Sequence, residues 1–327
     1  MKRRLIFRAD ASSTIGRGHL SRCLAIADML YNDFEILFVS YEENKSYIEK
    51  LSIPYGFEGI LSDAKFFDFV NQEDIVWLDG YTFNESFKKR LRFHVFKLIE
   101  TNDLPYKVEN VDLLFNHTPG LKEEQFDIVD SKAKLYLGLN YALLRRAFLE
   151  KAKNNQKSLS GSGIFVCFGG ADTFDLGLRF VQGLVENNFK DAIYWVSNKS
   201  KEELPKLGDN VHVMSGLSQH EMIEYMSKSK ILLIPSSVLS FEAIALRRPF
   251  YTGYFVDNQE LIAQGLKEEG LAEGCRNLEI NEEFEKAFEE LLMFYSDEAK
   301  QKELVAKQQK SIDGNSPSRI KTIINTL

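Results

Sequence analysis

The chain has 327 residues, enough for two domains of ordinary size, each with its own core. Hydrophobic residues make up 44% and charged residues 27%, the balance of a globular protein, and a net charge of −7 argues against a general nucleic-acid binder. The basic clusters Lys88-Lys89-Arg90, Arg145-Arg146 and Arg247-Arg248 read as solvated faces, any of which could serve an anionic small ligand. Cys23, Cys167 and Cys275 are far apart, with no CxxC pair and no Cys/His ligand spacing, so neither a disulfide framework nor a zinc site is expected. Met-Lys-Arg-Arg runs directly into a short strand, too short for a signal peptide's apolar segment, and no stretch approaches membrane-spanning length. A cytoplasmic protein without membrane insertion is the expectation.

Short apolar runs rich in β-branched and aromatic residues alternate with amphipathic stretches. Leu5-Ile6-Phe7 reads as a strand, followed by a glycine loop and a helical pattern from about Leu20 to Leu30. Glu35 to Ser40 is the next strand, followed by a helical stretch through Leu51. Asp74 to Asp79 is a third strand, ending at Gly80, and Val95 to Ile99 a fourth. Residues Lys151 to Gly163 are polar and end in a Gly/Ser run, which reads as a linker. The alternation then restarts, with Ile164 to Phe168 as a strand, Gly169-Gly170 as a turn and Phe174 to Glu186 as a helix. Further strands are expected at Ala192 to Val196, Val211 to Met214, Ile231 to Ile234 and Phe250 to Phe255, with helices at Gln219 to Lys228 and Leu239 to Leu246. The tail from Asn281 onward is mostly helical and charged. This pattern predicts an α/β protein of two Rossmann-like domains, residues 1–150 and 164–327, with parallel sheets facing a central cleft and ligands at the carboxyl ends of the strands. The last helix is expected to pack back on the N-terminal domain.

The first chemical candidate is the loop Arg8-Ala9-Asp10-Ala11-Ser12-Ser13-Thr14-Ile15-Gly16-Arg17-Gly18-His19, between the first strand and the first helix. Gly16 and Gly18 permit close backbone approach, and free N–H groups at a helix start attract anions. His19 falls in the first turn, where the positive end of the helix dipole disfavours the imidazolium; a neutral ring can take a proton from water. Position alone also allows His19 merely to close the loop. The second candidate is Cys167-Phe168-Gly169-Gly170-Ala171-Asp172, where two glycines suggest a backbone close to a ligand and Asp172 reads best as a helix cap. The third is Pro235 to Ala243: Ser236 and Ser237 could hold a diphosphate at a helix start, and Glu242 could take both hydroxyls of a ribose. Capping for the serines and a solvated face for Glu242 are the plainer readings. Asp257-Asn258-Gln259 opens another helix, and its amides could orient sugar hydroxyls or N-acetyl groups. Tyr81, after Asp79-Gly80, either lines a cleft or covers the core. The sequence has no Walker A, HExxH or GxSxG motif and no carboxylate cluster for two metals, so neither cofactor nor metal is expected; His94, His117, His212 and His220 read as structural.

In these motifs, taken in order, the chain resembles the UDP-2,4-diacetamido-2,4,6-trideoxy-β-L-altropyranose hydrolase family of pseudaminic acid biosynthesis, which has a small GT-B glycosyltransferase-like fold. The run Phe7 to Arg22, the segment Tyr141-Ala142-Leu143-Leu144-Arg145-Arg146-Ala147-Phe148, Phe168 to Asp172, Ser236-Ser237 with Glu242-Ala243, and Asn258-Gln259 carry it, over about residues 5 to 275. The resemblance implies His19 as catalytic base and Tyr81 and Asn258 as ligand contacts, with Ser237 and Glu242 on uridine diphosphate. Further substrate contacts are expected from Arg8, Asp10, Gly16, Gly18, Arg22, Gly169, Gly170, Ser236 and Gln259. The chain departs from the family at Asp79-Gly80-Tyr81, where the family usually has Asp-His-Tyr, and at Glu100-Thr101-Asn102-Asp103, where it often shows an Asp-Asp pair. The implied reaction is inverting attack of His19-activated water on the anomeric carbon of a UDP-sugar, with UDP as product, in a pathway serving flagellin and surface-polysaccharide glycosylation. Two alternatives are a GT-B glycosyltransferase, in which His19 deprotonates an acceptor hydroxyl, and a non-catalytic nucleotide-sugar binding protein.

Overall fold

The computed structural model describes residues 2–9, 18–44, 48, 54–60, 62–129, 132–154, 160–169, 172, 174–199 and 203–327. The expected contacts Asp10, Gly16 and Gly170, and most of the helical stretch expected through Leu51, lie outside the described residues. The chain divides into two compact units, Met1–Arg146 with Asn315–Leu327, and Ala147–Gly314.

Unit 1 is built on a seven-stranded parallel sheet. Its strands are β1 (Arg4–Ala9), β2 (Glu35–Tyr41), β3 (Gly56–Ile60), β4 (Ile75–Asp79), β5 (Lys97–Thr101), β7 (Leu113–Asn116) and β9 (Lys134–Leu137), in the spatial order β3-β2-β1-β4-β5-β7-β9. The two-residue strands β6 (Lys107–Val108) and β8 (Asp127–Ile128) pair with each other. A parallel sheet covered on both faces needs apolar residues at successive positions rather than at alternate ones. Ile75-Val76-Trp77-Leu78 in β4 and Leu5-Ile6-Phe7 in β1 meet that demand, and all are buried. Helix α1 (Gly18–Leu30) turns Leu20, Cys23, Ile26, Ala27 and Leu30 inward at helical spacing, onto Leu5, Phe7, Ala9 and Trp77. Helices α2 (Asp63–Phe69) and α3 (Glu85–Arg92) follow β3 and β4.

Unit 2 repeats the plan with β10 (Ile164–Cys167), β11 (Ile193–Val196), β12 (Val211–Met214), β13 (Ile231–Pro235), β14 (Phe250–Tyr254) and β15 (Glu273–Asn277) in the order β12-β11-β10-β13-β14-β15, again all parallel. Its helices are α4 (Arg146–Lys153), which starts on the last residue of unit 1, α5 (Leu176–Glu186), α6 (Gln219–Lys228), α7 (Val238–Ala245), α8 (Asp257–Glu268), α9 (Asn281–Ser296) and α10 (Glu298–Gln308). In both sheets the chain order reverses direction once, next to the first strand of the unit. That switch point lies between β1 and β4 in unit 1, and between β10 and β13 in unit 2. Loops leaving neighbouring strands part company there, opening a crevice at their carboxyl ends.

One boundary differs from the expected one. The stretch read as a linker from Lys151 starts inside α4, whose Phe148, Leu149 and Ala152 are buried; its lysines and asparagines mask a short apolar face. The last helix, α11 (Ser316–Asn325), belongs to unit 1, where Ile320 and Ile324 join the core beside α1, and Ser316 Oγ donates to Ala142 O at 2.7 Å. Two basic clusters are also not solvated throughout. Arg247 is buried and donates to the carbonyls of Ile244, Gln308 and Ile312, while Arg248 donates to those of Ser229 and Ser160. Lys88 is buried against Glu100 and Glu85. Among the described residues no helix is long and apolar enough to cross a membrane.

Ile320 is fully buried although more than three hundred residues separate it from β1. Ile320→Ala is therefore expected to lower the urea midpoint of unit 1, at a cost of about 2–5 kcal/mol. An unchanged midpoint would place α11 outside that core.

Candidate active site

The carboxyl ends of β1 and β4 carry the described side chains of greatest chemical interest. His19 is the second residue of α1, and Arg22 lies one turn further on, so both project from the same face of the helix. Asp79 is the last residue of β4, in register with Ala9 of β1 and Thr101 of β5. After β5, Asn102 Oδ1 accepts from Leu104 N in an Asx turn, which holds Asp103 between them. After β7, Asn116 Oδ1 accepts from Thr118 N in the same way and presents His117. Thr118 Oγ1 donates to Asp103 O, joining the two turns.

These residues meet in one buried cluster. Arg22 Nε and Nη2 donate to the two oxygens of Asp79 at 2.7 and 2.6 Å, and its Nη1 donates to Asp103 Oδ1 at 2.5 Å. Asp103 Oδ2 accepts from the Tyr81 hydroxyl at 2.7 Å. His19 Nδ1 lies 2.7 Å from Asp79 Oδ1. Burial alone would push the Asp79 carboxyl up, but the Arg22 guanidinium, then His19, hold it below the usual carboxylate range. Burial opposes ionisation of Asp103 too, and Arg22 outweighs it, so Asp103 is held well below that range. Both are carboxylates at neutral pH and can only accept. His19 therefore donates through Nδ1–H, which leaves Nε2 the nitrogen not held by Asp79; among the described residues Nε2 has no partner. A carboxylate holding the far nitrogen of a neutral histidine is the arrangement general bases use.

His117 is the second, fully enclosed histidine. Its Nδ1 accepts from Leu143 N at 3.2 Å, and its Nε2 faces Asp103 at 3.8 Å. Burial, reinforced by Arg22 and only partly countered by Asp103, pushes it down to about 4. Cys23, one turn beyond His19, is buried against Asp79, and burial followed by that carboxylate pushes its thiol up, so it stays protonated. Among the described residues no group of three or more His, Cys, Asp or Glu is set to hold a metal ion.

The expected contacts fall into different places. Arg22 is 5% exposed, with its donors on Asp79 and Asp103. Arg8 is fully buried, with its guanidinium over Tyr41 and against Phe66 and Phe83, and an ion pair to Asp63 at 3.3 Å. Strand alternation puts it on the sheet face opposite Phe7 and Ala9, away from α1. Tyr81 is 51% exposed and its ring stands edge-on to His19, with centroids 4.8 Å apart. Gly18 is exposed at the helix start with open space around it. Gly80 has φ +154°, a conformation reserved for glycine, and a Cβ there would come 3.3 Å from the Phe83 ring. A side chain at position 80 would strain that backbone.

In unit 2 the switch point likewise gathers the predicted motifs. Gly169, after β10, has φ +82° and open space where a Cβ would be, so the turn demands glycine for its backbone alone. Asp172 accepts from Leu176 N and Gly177 N, both at 2.8 Å, and thereby caps α5 as its position suggested. After β13, Ser237 is the N-cap of α7. Ser236 is fully buried, with its N–H on Gly253 O and its hydroxyl on Thr252, so it supports the turn from inside. Glu242 is buried rather than on a solvated face. Asn258 and Gln259 open α8, where Gln259 Oε1 accepts from Phe255 N.

Sequence reading missed Asp79 and Asp103 as parts of the site and set His117 aside as structural. The available signal was position: all three lie at or just beyond the carboxyl ends of strands near the switch point.

His117 gives a measurable signature. Its folded value of about 4 lies below the ordinary 6.5, so the unfolded chain binds the extra proton between these limits. Stability should then fall as pH drops from 6.5 towards 4, by at most about 1.4 kcal/mol per pH unit from this one group. The depressed carboxyls of Asp79 and Asp103 act only below their unfolded value of 3.8 and leave this window clear. Urea midpoints between pH 7 and 4.5 should decline less steeply in His117→Asn, which keeps an acceptor near Leu143 N; equal slopes would show that His117 does not titrate there.

No protein-family model matches the chain. It is 27% identical over 275 residues, 82% of its own length and 97% of the relative's, to the UDP-2,4-diacetamido-2,4,6-trideoxy-β-L-altropyranose hydrolase of Campylobacter jejuni. Among solved structures it is similar to MurG of Acinetobacter baumannii, with a TM-score of 0.64 and 11% identity over the whole of both chains. It is also similar to the UDP-GlcNAc 2-epimerase of Methanocaldococcus jannaschii solved with UDP-GlcNAc and UDP, with a TM-score of 0.63 and 14% identity over the whole of both chains. The chain thus has the two-domain GT-B fold, and along most of its length it is similar in sequence to a UDP-sugar hydrolase.

Proposed function

We propose that the chain is a hydrolase that releases UDP from a UDP-linked diacetamido-trideoxy sugar, as in pseudaminic-type nonulosonic acid biosynthesis. The observation that carries this reading is the His19–Asp79 pair, with Nδ1 committed at 2.7 Å and Nε2 left without a partner among the described residues. The chain's similarity to the named hydrolase supports the substrate class.

In this reading His19 Nε2 takes a proton from water as the water oxygen attacks the anomeric carbon from the face opposite the leaving group. The bond between that carbon and the diphosphate oxygen breaks, its electrons leave with UDP, and the sugar is released with inverted configuration. Asp79 keeps the imidazole in the Nδ1–H form and stabilises the imidazolium as it forms. UDP is a good leaving group and needs no strong acid; it needs its negative charge met. The start of α7, capped by Ser237, offers N–H groups for that task, and Glu242, Asn258 and Gly169 are proposed nucleotide contacts in unit 2. Asp10, Gly16, Gly18 and Gly170 are proposed contacts of the two glycine loops.

His19→Ala should cut turnover by about 10²–10⁴-fold while UDP binding, followed by calorimetry, stays near wild type. Wild-type turnover in that variant would remove His19 from the mechanism. In ¹⁸O-water the label should enter the sugar; label in UDP would mean attack at phosphorus. The assay contains no acceptor, so a transferase that needs one would release no UDP.

A further inference from the structure

A histidine held at one nitrogen can still pivot about that hydrogen bond, so one carboxylate does not by itself fix a base. At His19 a second constraint comes from Tyr81, whose ring meets the imidazole edge-on at 84°. The Tyr81 hydroxyl is anchored on Asp103 Oδ2, and Asp103 Oδ1 takes Nη1 of the arginine that grips Asp79. The contacts therefore close into a ring, running His19, Asp79, Arg22, Asp103, Tyr81 and back to His19. We propose that Asp103 is a positioning residue for the base, holding His19 from two sides at once, through Arg22 and Asp79 on its Nδ1 edge and through Tyr81 on its ring.

The proposal rests on the reading of His19 as the base. Asp103 is 5% exposed and makes no hydrogen bond to His19, so its action runs wholly through the two arms. Each arm is a hydrogen bond to a buried carboxylate, stronger than the same contact between neutral groups. Of the two arms only Tyr81 is open to solvent, so the ring ends on a surface that a substrate can touch.

The test uses the full chain with UDP-2,4-diacetamido-2,4,6-trideoxy-β-L-altropyranose as probe. Asp103→Asn should lower kcat by about 10²-fold, the effect of a small misplacement of a base, with KM nearly unchanged. Among the described residues the groups that face His19 are Asp79, Arg22 and Tyr81, with His117 beyond Arg22. Removing the Asp103 charge leaves Arg22 less compensated, so the acidic limb of the kcat/KM profile should move to lower pH, which loss of packing alone would not do. Tyr81→Phe keeps the ring and cuts one arm; its loss in kcat should be smaller, and the double variant should lose no more than Asp103→Asn alone. Wild-type kcat with an unmoved limb in folded Asp103→Asn, or losses that multiply in the double variant, would overturn the proposal. If Asp103→Asn does not fold, Tyr81→Phe decides, and an unchanged kcat there overturns it. His19→Ala in the same assay separates the two claims: wild-type turnover defeats the base reading, whereas an inactive His19→Ala beside a fully active Asp103→Asn defeats only the role of Asp103.

Discussion

Arg22 is buried with its guanidinium among acidic and imidazole side chains, and a buried guanidinium must have its donors matched by acceptors of opposite charge. Two carboxylates do this, one from the end of β4 and one from the turn after β5. The planar fork of donors lets one side chain grip Asp79 with two bonds and still reach Asp103, which lysine could not do. Burial on its own would lower the arginine's affinity for its proton, but the two carboxylates more than reverse this. The geometry of every other group at the carboxyl end of the sheet follows. Asp79 is fixed, His19 aligns on it, and Tyr81 hangs from Asp103.

A buried arginine has a different use in unit 2. Arg247 has φ +57°, uncommon for a residue with a side chain, and spends its donors on backbone carbonyls near the ends of α7 and α10. Burial lowers its hold on its proton, and the charge of Asp313 only partly offsets this. The contrast separates the roles. Carbonyls can tie chain segments together, but only carboxylates leave negative charge over for a neighbouring histidine.

The alternation of strands and helices was legible because parallel strands covered on both faces must be apolar throughout, as Ile75-Val76-Trp77-Leu78 is. The positions of His19, Gly169 and Ser237 at strand-to-helix turns were legible because glycines and cap residues gather there. Strands with weaker patterns were not, such as Gly56–Ile60, whose Gly-Phe-Glu-Gly-Ile alternates too little to stand out. The run from Lys151 hid the end of a helix because only Phe148, Leu149 and Ala152 face inward. Asp103 could not be placed from sequence, since its contact with Arg22 depends on an Asx turn that brings it to a residue 81 positions earlier. Arg22 was assigned to the ligand for a related reason: an arginine near a glycine loop suits an anion, and only the fold reveals two carboxylates waiting for it. The need for glycine at position 80 could not be read from sequence, because it rests on a backbone conformation that other residues rarely adopt.

Charge counting links this cluster to the proposed chemistry. With His19 and His117 neutral, Asp79, Arg22 and Asp103 together carry one net negative charge in a buried space. Such an excess is costly to hold away from water, and a core built for stability alone would match two arginines to two carboxylates or use none. A proton arriving on His19 brings the cluster to neutrality, and a general base acquires that proton as its transition state forms. His117 does not compete for it, because burial and the adjacent Arg22 keep that ring neutral. In the proposed mechanism the stability given up by leaving the ground state one charge short is recovered at His19, the less deeply buried of the two histidines.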